Sequence, residues 1–84
     1  MCEIKTAFDL EGKHIIICTP HEGDFKSAKT VTIFDDKNDV VEITDFEISE
    51  TRQCFNSEPI APILGFSDDI DERFLKRGNR VVIH

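Results

Sequence analysis

The sequence predicts an all-β domain, a small barrel or sandwich of six to seven short strands with one helical turn late in the chain. Short apolar runs rich in Val and Ile alternate with turns of Gly, Pro and Asp. No stretch repeats its apolar residues with the roughly 3.6-residue period of a long helix. The 84 residues suffice for one core, so we expect residues 1–84 to form a single domain.

The N-terminal part of the chain predicts a hairpin. The first strand runs from Ile4 to Leu10, Glu11-Gly12-Lys13 is the turn, and the second strand runs from His14 to Thr19. Ile15-Ile16-Ile17 at the centre of the second strand favours this assignment, since β-branched side chains fit a pleated surface. Pro20 ends the strand because proline cannot donate to a central ladder.

The middle of the chain predicts a second hairpin. Lys29 to Phe34 alternates, with Val31 and Ile33 on one side of the strand, and the polar loop from Asp35 to Asp39 leads into Val40 to Ile48. Side chains alternate strictly along a strand, so apolar residues of one parity share a face.

The segment from Val40 to Ile48 changes phase. Val41 and Ile43 share one parity, whereas Phe46 and Ile48 share the other. Both pairs can face inward only if one extra residue is inserted between them. We therefore predict a β-bulge or a sharp bend near Thr44-Asp45.

The C-terminal part predicts a strand, one helical turn and a closing strand. Ile63 to Phe66 is the strand, and the prolines before it favour an edge position or an irregular start. Ser67 is a suitable N-cap for a turn over residues 68–74, which would direct Ile70 and Phe74 inward. Gly78 ends that turn, and Val81-Val82-Ile83 is expected to close the sheet.

Aromatic residues are expected to contribute much of the core. The chain has seven Phe and no Tyr or Trp, and the Phe residues are spread along its whole length: Phe8, Phe25, Phe34, Phe46, Phe55, Phe66 and Phe74. This spread favours one shared core over two small ones.

The charge and the apolar content of the chain limit the kinds of partner that it can bind. The formal charge is -7 with a pI near 4.8, which is unsuited to a DNA backbone because that binding depends on Lys and Arg. The apolar run from Ile15 to Cys18 is too short to cross a membrane. The start, Met1-Cys2-Glu3, has no basic and apolar signal region, so we expect a cytoplasmic protein. The oligomeric state stays open.

A basic cluster near the C-terminus is the candidate binding patch. Residues 73–80 carry Arg73, Lys76, Arg77 and Arg80 and no acid, in a chain that is otherwise acidic. Such a cluster can contact RNA or an acidic protein surface. The alternative is that these bases pair with neighbouring acids and only solvate the surface.

Cysteine and histidine residues are the candidates for chemistry. His14, Cys18 and His21 lie close in sequence, and Cys54 could join them as a fourth metal ligand or as a thiol nucleophile. Cys18 also ends an isoleucine run, where cysteine is commonly a small core residue. The core interpretation is favoured, and we expect no cofactor and no enzymatic activity.

The order of turns and strands resembles domain 2 of the translational GTPases, such as elongation factor Tu. The resembling segments are Phe8 to Gly12, Gly23 to Ile33, Leu64-Gly65-Phe66 and Asp69 to Asn79. The chain departs from the family pattern at Ala28, Lys29, Leu64 and Asn79, and it has no phosphate-binding loop. The resemblance implies a closed or nearly closed Greek-key β-barrel without the GTPase.

The expected function is therefore that of a binding module. A protein partner is the first expectation, and it requires a contiguous exposed apolar patch. The alternative is binding of RNA or the ribosome through the basic cluster. A metal-binding or thiol-dependent protein is the third interpretation.

Overall fold

The structure, a computed structural model, describes residues 2–20, 25, 27–50 and 61–84. Within these ranges the chain is all-β, as predicted, with seven antiparallel strands and one 3-10 helix. In chain order the elements are β1 (Cys2–Leu10), β2 (Lys13–Cys18), β3 (Val31–Phe34), β4 (Val40–Ile43), β5 (Glu47–Glu50), β6 (Pro62–Phe66), the 3-10 helix (Glu72–Leu75) and β7 (Arg80–Ile83).

One sheet contains all seven strands, in the order β4-β3-β7-β1-β2-β6-β5. β1 connects its two halves, because Cys2 and Glu3 pair with β7 whereas the rest of the strand pairs with β2. The β1–β2 register shifts between Ile4 and Thr6. The extra residue at this shift lets both Ile4 and Ala7 contact the same core, although they differ in parity.

The predicted phase change marks the place where the chain crosses from one edge of the sheet to the other. β4 and β5 are separate strands at opposite ends of the sheet order, and residues 44–46 alone connect them. The sharp bend predicted as the alternative to a bulge is confirmed at Asp45, but it separates two strands, so the description of the segment as one continuous strand was wrong. Inward orientation of both pairs was correct, since all four side chains contact the core: Val41, Ile43, Phe46 and Ile48.

This short connection requires a strongly curved sheet. A flat sheet would separate β4 from β5 by about 29 Å, or six strand spacings. The connection from Ile43 to Glu47 spans at most about 14 Å. No ladder joins β4 to β5 among the described residues, so the sheet is curved but not closed.

The core is mainly aliphatic. Its largest side chains with almost no solvent exposure are Ile4, Ile16, Val31, Ile33, Ile43, Leu64 and Val81. Phe25, Phe66 and Phe74 are buried, but Phe8 is exposed and Phe34 and Phe46 are half-buried. The expected phenylalanine-rich core is therefore only partly present, and Phe55 lies outside the described residues.

The C-terminal elements differ from expectation at two points. β6 lies between β2 and β5, so the edge position was wrong, and Pro62 occupies the first residue of the strand, where proline is tolerated. The N-cap is Asp71 and not Ser67, because an Asp71 carboxylate oxygen accepts a hydrogen bond from the Arg73 backbone N–H at 3.0 Å. The predicted turn over residues 68–74 therefore begins later, at Glu72.

Candidate functional site

The basic cluster lies at one end of the sheet. Arg73 belongs to the 3-10 helix, Lys76 and Arg77 follow it, and Arg80 begins β7. Gly78, with φ of +94°, turns the chain from the helix into β7, as its sequence position predicted. All four basic side chains are exposed, so the sequence correctly placed them on the surface.

Arg73 is held by acids of the β3–β4 loop. Its guanidinium lies 3.2 Å from an Asp39 carboxylate oxygen and 3.6 Å from Asp35 Oδ2. It also lies 4.8 Å from the centre of the Phe74 ring, in cation–π geometry. These contacts neutralise Arg73 within the chain and leave less of its charge for a ligand.

Asp35 organises the loop that receives Arg73. Its side chain is only 1% exposed, and one carboxylate oxygen accepts hydrogen bonds from the backbone N–H groups of Lys37 and Asp39, each at 2.9 Å. The other oxygen, Oδ2, faces Arg73 and has no hydrogen-bond partner among the described residues. The pair therefore fixes the loop to the 3-10 helix.

Arg80 is also engaged. It donates a hydrogen bond to Asn38 Oδ1 at 2.7 Å, and its guanidinium lies 4.9 Å from the centre of the Phe34 ring. Asn38 has φ of +66°, a left-handed conformation that asparagine tolerates in turns. The loop between β3 and β4 thus contacts both Arg73 and Arg80.

An open cleft of about 610 Å³ lies beside these contacts. Its basic residues are Arg77 and Arg80, and its acidic residues are Glu3, Asp35 and Asp36. Opposite charges are mixed along this cleft. The four bases therefore do not form one basic face. Lys76, Arg77 and Arg80 have no ion pair among the described residues.

The cysteine and histidine residues considered as metal ligands do not lie together in the described part of the structure. His14 lies near the β1–β2 turn, where its Nδ1 is 2.6 Å from an Asp9 carboxylate oxygen. Cys18 is buried at the other end of β2, about 13 Å away along the strand. His21 and Cys54 lie outside the described residues, within which no cluster of metal-ligating side chains occurs.

Cys18 lies in the core next to Cys2, and both thiols are buried and free. The hydrogen bond with Cys2 and burial together raise the pKa of the Cys18 thiol above its ordinary value. The thiolate is the nucleophilic form of cysteine. Cys18 therefore remains a protonated core residue at neutral pH, in agreement with the core interpretation.

We expect Cys18 to resist alkylation in the folded protein. Treatment with iodoacetamide at about pH 8, near the ordinary thiol pKa, should modify it at least about a hundredfold more slowly than after denaturation in urea. Mass spectrometry of peptides distinguishes Cys18 from the other cysteines. Ser49→Cys, at an exposed position of β5, is the control that should react in the folded state. Rapid labelling of native Cys18 would contradict its protonated, buried state.

The outer face of β1, β2 and β6 carries a cluster that sequence reasoning did not identify as a surface. Direct cross-strand pairing places Phe8 beside Ile15 and Ile17 beside Ile63, and Leu10 follows Phe8 on the same face. We call these five residues the outer apolar face: Phe8, Leu10, Ile15, Ile17 and Ile63.

Exposure distinguishes this face from the core. Phe8 is 45% exposed and Leu10 is 55% exposed, whereas Ile15, Ile17 and Ile63 are half-buried. The available signal in the sequence was the run Ile15-Ile16-Ile17, since a strand can direct only its central residue to the core. Ile16 is that residue, so the other two must face outward.

Comparison of the chain with protein families, with curated proteins and with solved structures gives no match. Among the described residues, no helix has the length and apolar character needed to cross a bilayer.

Proposed function

We propose that the chain is a non-enzymatic β-barrel binding module that binds a protein partner through the outer apolar face. The observation that carries this proposal is the contiguity of Phe8, Leu10 and Ile15 on one sheet surface, where the two largest side chains are about half exposed. Large apolar side chains in a contiguous exposed group are typical of a site that another protein covers.

The border of the outer apolar face supports an interface. Lys13 and Glu47 form an ion pair at 3.0 Å on the same face of the sheet, and both side chains are exposed. Ser49 lies directly opposite Ile63. An apolar centre with a polar and charged rim is the usual anatomy of a protein interface, since the rim remains hydrated when the centre is buried.

The barrel part of the proposal rests on curvature. Residues 44–46 hold β4 and β5 near each other although they are the two edge strands, and this proximity supports a nearly closed barrel. The order β3-β7-β1, in which strands distant in sequence are neighbours, is compatible with the Greek-key connections of domain 2 of translational GTPases. We propose this architecture, and a cytoplasmic location, on that basis.

RNA or ribosome binding through the basic cluster is the second candidate. The observation that favours it is the exposure of Lys76 and Arg77, whose charges are not paired with acids among the described residues. Against it, Arg73 contacts Asp35 and Asp39, and Arg80 contacts Asn38. Three cations without an acidic partner in the described part of the chain, Lys76, Arg77 and Arg80, give only weak phosphate binding in a chain of charge -7.

Leu10→Ser should abolish partner binding, whereas Val40→Ser should not. Leu10 and Val40 are both 55% exposed, so the two substitutions remove similar apolar surface, but Val40 lies on β4, away from the outer apolar face. Neither change should alter stability by more than about 0.5 kcal/mol, since both sites are on the surface. Affinity capture from a lysate of the source cells, quantified by mass spectrometry, compares the two variants with the wild-type protein.

Three results can be distinguished. A protein captured by the wild type and by Val40→Ser, and at least about tenfold less by Leu10→Ser, supports the outer apolar face as the binding site. Equal capture by all three proteins contradicts it. Capture that is lost after ribonuclease treatment and in the double variant Lys76→Glu and Arg77→Glu supports the RNA alternative instead.

A further inference from the structure

One side of β1 has no partner strand over its second half. β7 pairs with Cys2 and Glu3, and the loop before it exchanges two further bonds, from the Ile4 N–H to the Asn79 carbonyl and from the Gly78 N–H to the Ile4 carbonyl, each at 2.9 Å. The residues just before Gly78 lie outside the sheet, where they form the 3-10 helix. β1 continues to Leu10, so its last residues pair only with β2 among the described strands.

The β1–β2 turn shows which backbone groups face this open side. Glu11 and Gly12 form a two-residue turn with φ of 52° and 80°, which makes Leu10 and Lys13 a hydrogen-bonded pair. Bonded and non-bonded pairs alternate along an antiparallel ladder. Phe8 therefore uses its backbone groups on β2, whereas Ala7 and Asp9 direct their N–H and C=O groups away from β2, where no described residue receives them.

A groove of about 250 Å³ runs along this open edge. Ala7, Phe8 and Asp9 form one wall, and Glu72 and Leu75 of the 3-10 helix form the other. Leu75 and Ala7 also pack against the core, so the floor is apolar. The groove thus lies where the β1–β7 ladder would have continued if the chain had stayed in the sheet.

The charges around the groove define its occupant. Both charged residues that line it, Asp9 and Glu72, are acidic, and the chain as a whole carries -7. A second copy of the same chain would bring these acids together and is disfavoured by like charge. An extended segment with an apolar side chain flanked two positions away by basic ones, in the pattern basic-x-apolar-x-basic, would place its apolar group against Ala7 and Leu75 and a cation beside Asp9 and Glu72, because Ala7 and Asp9 are two residues apart on the same face of β1.

We propose that an extended basic segment of the partner protein adds to β1 as a strand, bonded to the backbone of Ala7 and Asp9. This proposal deepens the proposed function and rests on it, because the open edge borders the outer apolar face at Phe8. Hydrogen bonds to the backbone of Ala7 and Asp9 would align the added strand with β1, and the residues of the groove would select apolar and basic side chains in it.

The test uses the full chain and the peptide acetyl-Lys-Thr-Val-Thr-Lys-Thr-amide, which can place Val opposite Ala7 and Lys opposite Asp9 in either strand direction. Addition of the peptide should slow hydrogen exchange at the amides of Ala7 and Asp9 but not at the amide of Phe8, which already bonds to β2. NMR measures the exchange rate at each of the three amides. A peptide with alternate amides methylated keeps one bonding edge and should still bind. A peptide with every amide methylated should bind at least about tenfold more weakly.

Two variants of the chain test the same edge. Ala7→Pro removes an outward N–H without removing a β1–β2 hydrogen bond and should abolish binding of the peptide. Glu72→Lys, on the opposite wall, should weaken binding about fivefold and does not touch the β1 ladder. Glu42→Lys on β4 is the control for charge, since it makes the same change far along the sheet order, and it should leave binding nearly unchanged.

Each outcome decides the proposal. Strand addition would be overturned if the fully methylated peptide bound as tightly as the unmethylated one, or if hydrogen exchange at Ala7 and Asp9 did not change. It would also be overturned if Glu72→Lys and Glu42→Lys weakened binding equally, or if sedimentation showed that the chain dimerises through this edge. If the peptide fails to bind while Leu10→Ser still abolishes capture of the partner, strand addition is wrong and the outer apolar face stands. If the peptide binds and Leu10→Ser has no effect on capture, the edge of β1 binds extended basic segments, but the outer apolar face is not the site that binds the captured protein.

Discussion

Val81→Asp should leave the chain unfolded, whereas Val82→Asp should leave it folded. Val81 has no solvent exposure and pairs with Cys2 of β1 on one side and Ile33 of β3 on the other. An unpaired carboxylate at this position costs several kcal/mol in addition to the lost apolar burial. At about 0.05–0.15 kcal/mol per residue, a domain of this size has a stability of roughly 4–13 kcal/mol, so the loss removes most or all of it.

Val82 is the matched control because it differs by a single position. It pairs with Thr32 on the opposite face from Val81 and is only partly buried, so a carboxylate there keeps part of its hydration and costs much less than one at Val81. Circular dichroism and thermal unfolding of the two variants provide the measurement. Similar melting of both would mean that β7 does not lie in the sheet with Val81 inward, and the described topology would then be wrong.

Asp35→Ala should destabilise the fold by about 2–4 kcal/mol, since it removes the acceptor for two backbone N–H groups and the buried partner of Arg73. Arg73 is 48% exposed, so solvent compensates part of the lost ion pair and keeps the effect below that of a fully buried pair. Urea unfolding measures the change in the free energy of unfolding.

Asp36→Ala is the control for Asp35→Ala. Asp36 is the neighbouring acid and is exposed, so its removal should change the free energy of unfolding by less than about 0.5 kcal/mol. Asp35→Asn should fall between the two, because the amide keeps one acceptor oxygen for the loop but places an N–H donor group near Arg73. Equal stability of Asp35→Ala and Asp36→Ala would show that the β3–β4 loop does not depend on the buried carboxylate.

Local pattern predicted the strands well because each depends on short-range signals. Two positive-φ residues at Glu11 and Gly12 fix the β1–β2 hairpin, and alternation assigned Val31 and Ile33 to the core, where they are found. The sequence also showed that the segment from Val40 to Ile48 changes face. It could not show that the change carries the chain to the opposite edge of the sheet, because that depends on which distant strands pair.

The candidate site was predicted only in part for the same reason. Positions of Arg73 and Arg80 in the sequence placed them on the surface, but their partners Asp35 and Asn38 come from a loop about forty residues earlier. The spread of phenylalanine predicted burial of Phe8, whereas the register shift between Ile4 and Thr6 directs it outward. Pairing across distant strands decides which side of a strand is inside, and no local pattern carries that information.

The interior position of β7 determines the order in which the domain can assemble during synthesis. β7 lies between β3 and β1 and leaves the ribosomal exit tunnel after both, so neither can gain its central neighbour until nearly the whole domain has emerged. Contacts such as Cys2 with Val81, which are 79 positions apart, slow folding because a long loop must close first. We therefore expect nascent chains to stay open until β7 emerges, and to need protection from aggregation until then.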